Sequence, residues 1–171
     1  KRVKKLIIDD PNNLNTQIGP LATENILFNL DTQIQKSKKM GASIVLGGFR
    51  INRKGYFYSP TIITEVSKKM PIYYEETFGP IFSIIKVRDV NQMIEIANDS
   101  DFGLGGSVWC NNRKEAFDIA TQIETGCVFI NGFTRSDPRL PFGGIKKSGY
   151  GKELSKYGIR EFVNIKTIVS Y

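Results

Sequence analysis

Between residues 81 and 131 short apolar runs alternate with stretches of helical periodicity, and this alternation constrains the fold more than any other feature of the chain. Ile81-Phe82-Ser83-Ile84-Ile85-Lys86-Val87 reads as a strand buried on both faces. Residues 90–98 carry Val90, Met93, Ile94, Ile96 and Ala97 at helical spacing; residues 105–109 read as a strand, 113–123 as a helix and 128–131 as a strand. Strands of about four to seven residues alternating with helices of about ten are the pattern of βαβ units. The expected fold class is therefore α/β, with a mainly parallel sheet and flanking helices. Ligands in such sheets gather at the carboxyl ends of strands, which directs attention to Asn131 and the loop behind it.

Upstream of the alternation, residues 22–40 place Ile26, Leu27, Leu30 and Ile34 at helical spacing, with Glu24 in the first turn and Lys36, Lys38 and Lys39 in the last. Gly41 ends that helix. Residues 43–46 are a short strand closed by Gly47-Gly48, residues 50–56 a polar loop, and residues 57–66 a strand that Pro60 marks as an edge or a bend. Residues 70–75 make one helical turn. Downstream, residues 132–151 form a glycine-rich loop, residues 153–157 a helical turn ended by Gly158, and residues 162–171 alternate as a last strand with one face covered. The opening Lys1-Arg2-Val3-Lys4-Lys5, followed by the turn cluster Asp9-Asp10-Pro11-Asn12-Asn13, reads as the continuation of something earlier, so Lys1 is expected to be an internal cut.

Composition excludes several chemistries. The 171 residues contain no histidine, so no Ser-His-Asp triad, Cys-His pair or His-ligated zinc can be assembled from them. The two cysteines, Cys110 and Cys127, lie in apolar stretches without metal-ligand spacing and are expected reduced and buried. A net charge of +7 invites a nucleic-acid reading. The charge is divided between the ends, however, with +6 over residues 1–54 (10 basic, 4 acidic) and +5 over 135–171 (8 and 3), against −4 over 55–134 (6 and 10). No nucleic-acid motif accompanies it, and no nucleic-acid partner is expected. No run of about 18 apolar residues and no secretory leader is written here, so a membrane is not expected as a partner and the cytoplasm is the default compartment. Gly144-Ile145-Lys146-Lys147-Ser148-Gly149 is followed by Tyr150 where a phosphate-binding loop needs Lys, and Gly103-Leu104-Gly105-Gly106 lacks the third glycine of a dinucleotide fingerprint.

Tyr74-Glu75-Glu76-Thr77-Phe78-Gly79-Pro80 sits at the entrance to the strand at residue 81, where a Gly-Pro break holds the loop and presents the Glu and Phe side chains. Taken alone, these residues could equally be two solvated carboxylates and a core aromatic. Glu75-Glu76-Thr77-Phe78-Gly79-Pro80 nevertheless resembles the E-E-x-F-G-P signature of the NAD(P)-dependent aldehyde dehydrogenase superfamily. Asn98-Asp99-Ser100-Asp101-Phe102-Gly103-Leu104, Gly126-Cys127-Val128-Phe129-Ile130-Asn131 and Pro141-Phe142-Gly143-Gly144-Ile145-Lys146-Lys147-Ser148-Gly149-Tyr150-Gly151 follow in the family's order. These motifs correspond to the last third or so of a family member. Within the superfamily, the stretch from Ile130 to Arg139 and that from Gly149 to Gly158 look most like the succinate-semialdehyde dehydrogenases.

The resemblance implies the rest. Family enzymes oxidise an aldehyde by attack of a cysteine thiolate, hydride transfer to NAD or NADP, and hydrolysis with a glutamate as base. In family members that cysteine, that glutamate and the cofactor domain lie upstream of the position matching Lys1, so no catalytic residue is assigned here and the chain alone is expected to be inactive. Residues 1–160 correspond to part of the catalytic domain and residues 161–171 to an arm that joins subunits, giving a homo-oligomer. Glu76 is expected to accept hydrogen bonds from the nicotinamide-side ribose and Phe78 to pack on the nicotinamide ring. Asn131 and Phe142 would line the path of a small aldehyde substrate, and Ser136, with Arg135 and Arg139, would hold its anionic group. Ser136 could instead satisfy its own loop while the arginines face water. A second function class, a non-catalytic module that pairs with an intact subunit or an upstream fragment, is also compatible with these residues.

Overall fold

Thr23 starts the first helix: in the computed structural model, which describes residues 1–171, its side chain accepts a hydrogen bond from the Ile26 amide at 3.2 Å and caps α1 (Glu24–Lys39). The three lysines of the last turn face the carbonyl end of the dipole, and Gly41 follows with φ +107°, a conformation that favours glycine. Leu27, Leu30 and Ile34 form the buried stripe of α1 and pack with Ala42, Tyr58, Ile63, Met70 and Ile72 in one core. The stripe also contains two polar residues, Gln33 and Ser37, which the helical periodicity alone does not explain.

This core belongs to the first of two units, residues 1–86. Its sheet has the order β1 (Ser43–Leu46), β2 (Thr61–Thr64), β3 (Ile81–Ser83), with β1 antiparallel and β3 parallel to β2. β2 is thus a central strand, so of the two readings of Pro60, an edge or a bend, the edge does not hold. The proline stands one residue outside β2, where its missing amide removes no ladder bond. The run at 81–87 was expected to be buried on both faces, yet only three of its residues pair as β3, and Phe82 and Ile84 are each 48% exposed. Uninterrupted apolar sequence reports a preference for cover and does not itself supply the covering element. Tyr58, buried at 2% exposure, donates its phenol to Asp31 Oδ1 at 3.1 Å, while Asp31 Oδ2 pairs with Arg50 Nε at 3.2 Å.

The second unit, residues 87–171, contains α3 (Val90–Asn98), β4 (Phe102–Gly103), β5 (Gly106–Val108), α4 (Arg113–Ala120), β6 (Val128–Ile130), β7 (Ile145–Lys146) and α5 (Ser155–Arg160), after α2 (Pro71–Tyr74) of the first unit. Asp89 caps α3 by accepting from the Gln92 amide at 2.8 Å, and Asn112 caps α4 by accepting from the amides of Lys114 and Glu115. β5 and β6 pair in parallel, with α4 between them in sequence, and Val108, Ala116 and Ile119 form the buried cluster beneath them. β4 pairs with β7 antiparallel.

The strands therefore form three small sheets, one mixed and two of a single pair, and no single mainly parallel sheet. Local periodicity reveals a strand but not its neighbour, and the two antiparallel pairings are closed across long loops. Gly158 does not end the last helical turn as expected but lies buried within α5, where a Cβ would stand 2.8 Å from the Glu153 carbonyl carbon. Residues 162–171, expected as a strand, contain none. Their alternation is genuine, but a strand exists only where a neighbour takes its amides and carbonyls, and these residues have no such neighbour in the chain.

Candidate functional site

The loop at residues 75–80 is seated on α1 by three contacts. α2 has no side-chain cap of its own; Pro71 occupies its first position, and the next amide, that of Ile72, donates to Ser37 Oγ at 3.3 Å. One turn earlier on α1, Gln33 Nε2 donates to Glu75 Oε2 at 2.8 Å and to the Glu76 carbonyl at 3.2 Å. At Gly79 a Cβ would stand 2.4 Å from Leu30 Cδ2, and Leu30 is locked in the core at 1% exposure. The glycine is needed there for close approach of loop to helix.

Seated in this way, the loop and α1 enclose a groove of about 310 Å³ whose lining includes Asn29, Gln33, Lys36, Glu75, Glu76 and Phe78. Phe78 is 61% exposed, so its ring is offered at the surface and does not fill the core, against the reading of it as a core aromatic. Glu76 is exposed beside it, with its main chain fixed and its carboxylate free of any protein partner.

The other site candidates lie in the second unit. Asn131, directly after β6, adopts φ +52°, and its amide accepts from the Cys110 backbone N–H and donates to the Cys110 carbonyl, both at 2.9 Å. Asn is among the few residues that take this conformation readily. Its side chain clasps the ends of two parallel strands with one donor and one acceptor, which leaves one N–H and one lone pair of the amide uncommitted. Phe142 is half-buried and exchanges two backbone hydrogen bonds with Glu153, at 2.9 and 2.8 Å. Between these positions Arg135 and Ser136 are exposed. Arg139 meets Asp137 in a two-pronged contact, Nε to Oδ1 at 2.9 Å and Nη2 to Oδ2 at 2.7 Å. The hydrogen bonds from Arg139 hold the Asp137 carboxyl well below the usual carboxylate range, so the pair stays ionised and mutually satisfied. Of the two arginines proposed for an anion, Arg135 is the one not engaged in this pair.

Neither cysteine has the surroundings of a nucleophile. Cys127 Sγ lies 3.5 Å from the Leu104 carbonyl, and burial pushes its thiol up from the ordinary value. Cys110 Sγ lies 3.7 Å from Glu115 Oε2, a carboxylate that gives a thiolate no support.

Several residues that hold the glycine-rich loop lie in or beside the motifs quoted from sequence, where no role was assigned to them. Asn98 donates to the Gln122 carbonyl and accepts from the Glu124 amide, both at 2.8 Å, and its own carbonyl accepts from Lys146 Nζ at 2.8 Å. Lys152 Nζ donates to the carbonyls of Gly143 and Gly144. Gly126 lies so close to the Gly143 carbonyl oxygen that a Cβ would stand 1.7 Å from it. The motif around Asn98 is thus a structural fastening. For Gln33 and Ser37 a signal was present, namely polar side chains at apolar positions of a helical stripe.

Comparisons with known proteins agree on one relationship. The model of the family described as "Aldehyde dehydrogenase family" matches residues 1–168. The succinate-semialdehyde dehydrogenase [NADP(+)] 1 of Mycobacterium tuberculosis (strain ATCC 25618 / H37Rv) is 47% identical over 167 residues, which are 98% of this chain and 36% of that protein. A crystal structure of succinic semialdehyde dehydrogenase from Streptococcus pyogenes with NADP+ superposes with a TM-score of 0.91 at 44% identity, over 95% of this chain and 36% of that one. A structure of betaine aldehyde dehydrogenase from Staphylococcus aureus with NAD+ superposes with a TM-score of 0.88 at 34% identity, over 94% of this chain and 33% of that one. The chain spans about a third of the length of each of these proteins.

Proposed function

The chain belongs to the aldehyde dehydrogenase family, and on that footing we propose that it supplies one wall of an NAD(P)-dependent oxidation site for a small anionic aldehyde, succinate semialdehyde being the best candidate. The observation that carries the proposal is the α1 groove, in which Glu76 and Phe78 stand together on a loop whose backbone is fastened. A groove of about 310 Å³ suits the nicotinamide riboside portion of a dinucleotide. Carboxylate oxygens at Glu76 accept from ribose hydroxyls, and the exposed ring of Phe78 offers a flat apolar surface to a nicotinamide. When bound, the dinucleotide supplies the acceptor for the hydride that leaves the substrate. The part played by this chain is to bind and orient it.

For the substrate, Arg135 and Ser136 are exposed donors in the loop after β6 and suit a carboxylate, whereas Arg139 is already neutralised by Asp137. The surroundings of both cysteines, neither of which suits a nucleophile, support a chain that does not oxidise aldehydes by itself. A C-terminal arm that joins subunits into a homo-oligomer remains the reading of residues 162–171, supported by Phe162, Ile165 and Ile168 standing 89%, 87% and 82% exposed. The same exposure favours a second function class, a module that pairs with another polypeptide without catalysing anything.

NADP+ titrated into the isotope-labelled chain is expected to move the NMR signals of Glu76, Phe78 and the Gln33 side-chain amide. Glu76→Ala removes the acceptor of charge-assisted hydrogen bonds and should weaken binding by about tenfold to a hundredfold. Unchanged signals at saturating NADP+ and NAD+ would remove the dinucleotide reading and leave the pairing module.

A further inference from the structure

Gln33 is 9% exposed on the buried face of α1, and its side chain bonds to the loop and not to its own helix. Both partners of its side-chain amide are oxygens, the Glu75 carboxylate and the Glu76 carbonyl, so the group facing them can only be the NH₂ end. One amide group thus ties two successive residues of the loop from a single point on a rigid helix. The Ser37 contact to Ile72, one turn further along α1, anchors the chain just before that loop, and Leu30 against Gly79 anchors it just after. Of the three contacts, only that of Gln33 reaches the backbone of Glu76 itself. Without it, the peptide before Glu76 keeps only the long contact from the Thr77 hydroxyl to the Glu75 carbonyl, at 3.5 Å.

We propose that Gln33 is a positioning residue for the cofactor wall: by holding the Glu76 carbonyl and the Glu75 carboxylate together, it sets the direction in which the Glu76 side chain enters the groove. The inference rests on the assignment of Glu76 to the cofactor. Glu75 thereby acquires a part of its own as the second tether, one that leaves Glu76 unpaired with protein and open to a ligand. Removal of the Gln33 donor should leave the core in place, because Leu27, Leu30 and Ile34 carry the packing of α1, while loosening the loop they support.

Gln33→Met keeps the length and volume of the side chain and removes both donors; Gln33→Asn keeps an amide that falls short by about one methylene and serves if the first variant does not fold. In the full chain, Gln33→Met is expected to melt near the native temperature, to lower the NMR order parameters of the amides of residues 75–78, and to weaken NADP+ binding by about fivefold to tenfold. Combined with Glu76→Ala, it should weaken binding little beyond Glu76→Ala alone, since both changes remove one coupled contribution. A loop that stays ordered in the folded variant overturns the inference. So does undiminished affinity in a background where Glu76→Ala is damaging, or full additivity of the two changes. If Glu76→Ala itself leaves NADP+ affinity unchanged, the assignment of Glu76 falls, whereas a loop that stays ordered in Gln33→Met tells against the tether alone.

Discussion

Among single residues, Tyr58 shows how a buried polar group gives the first unit a pH limit. Burial first, and the neighbouring Asp31 carboxylate second, push its phenol well above the ordinary value of 10.0. A folded-state value above the unfolded one means that the contribution is fully present below about pH 10 and is lost as the unfolded chain begins to ionise above it. Urea unfolding should therefore show stability falling above about pH 10, by up to about 1.4 kcal/mol per pH unit from this residue. Tyr58→Phe should remove that share of the slope and cost about 1 kcal/mol near neutrality, since Asp31 keeps Arg50 as a partner. A slope unaltered in the variant would assign the effect to other tyrosines. At this scale Glu76 and Phe78 could be singled out in sequence because their neighbours form a compact word. The contacts of Gln33, Asn98 and Lys146 could not be read there, because their partners lie 42, 24 and 48 residues away in the chain.

The elements repeat that division between local and distant causes. α1, α3 and α4 begin within about two residues of where apolar spacing places them, because Thr23, Asp89 and Asn112 write the start signal beside the helix that uses it. β4 and β7, two residues each, leave no periodicity to read, and they exist only because Phe102 meets Lys146 across the fold. Residues 162–171 are the opposite case, an alternation without a partner. Deletion of these ten residues should leave the melting temperature within about 2 °C, because their apolar side chains are mostly exposed, and should abolish association if they form the joining arm. Calorimetry and light scattering on the shortened chain check both halves, and an intact oligomer after deletion removes the arm from the proposal.

Taken over the whole chain, large apolar side chains stand exposed in both units, among them Phe82 at 48% in the first and Trp109 at 60% and Phe133 at 77% in the second. Concentration-dependent association is the expected behaviour, strengthened by sulfate, and sedimentation of a single unchanging monomer over a wide concentration range would contradict it. The second unit also has a property that bears on how such chains diversify. Asn131 grips Cys110 at one end of the loop and Phe142 grips Glu153 at the other, so the residues between them are bracketed by fastenings that do not depend on their identity. That stretch is an exchangeable cassette: its letters can be rewritten while the frame on either side stays shut.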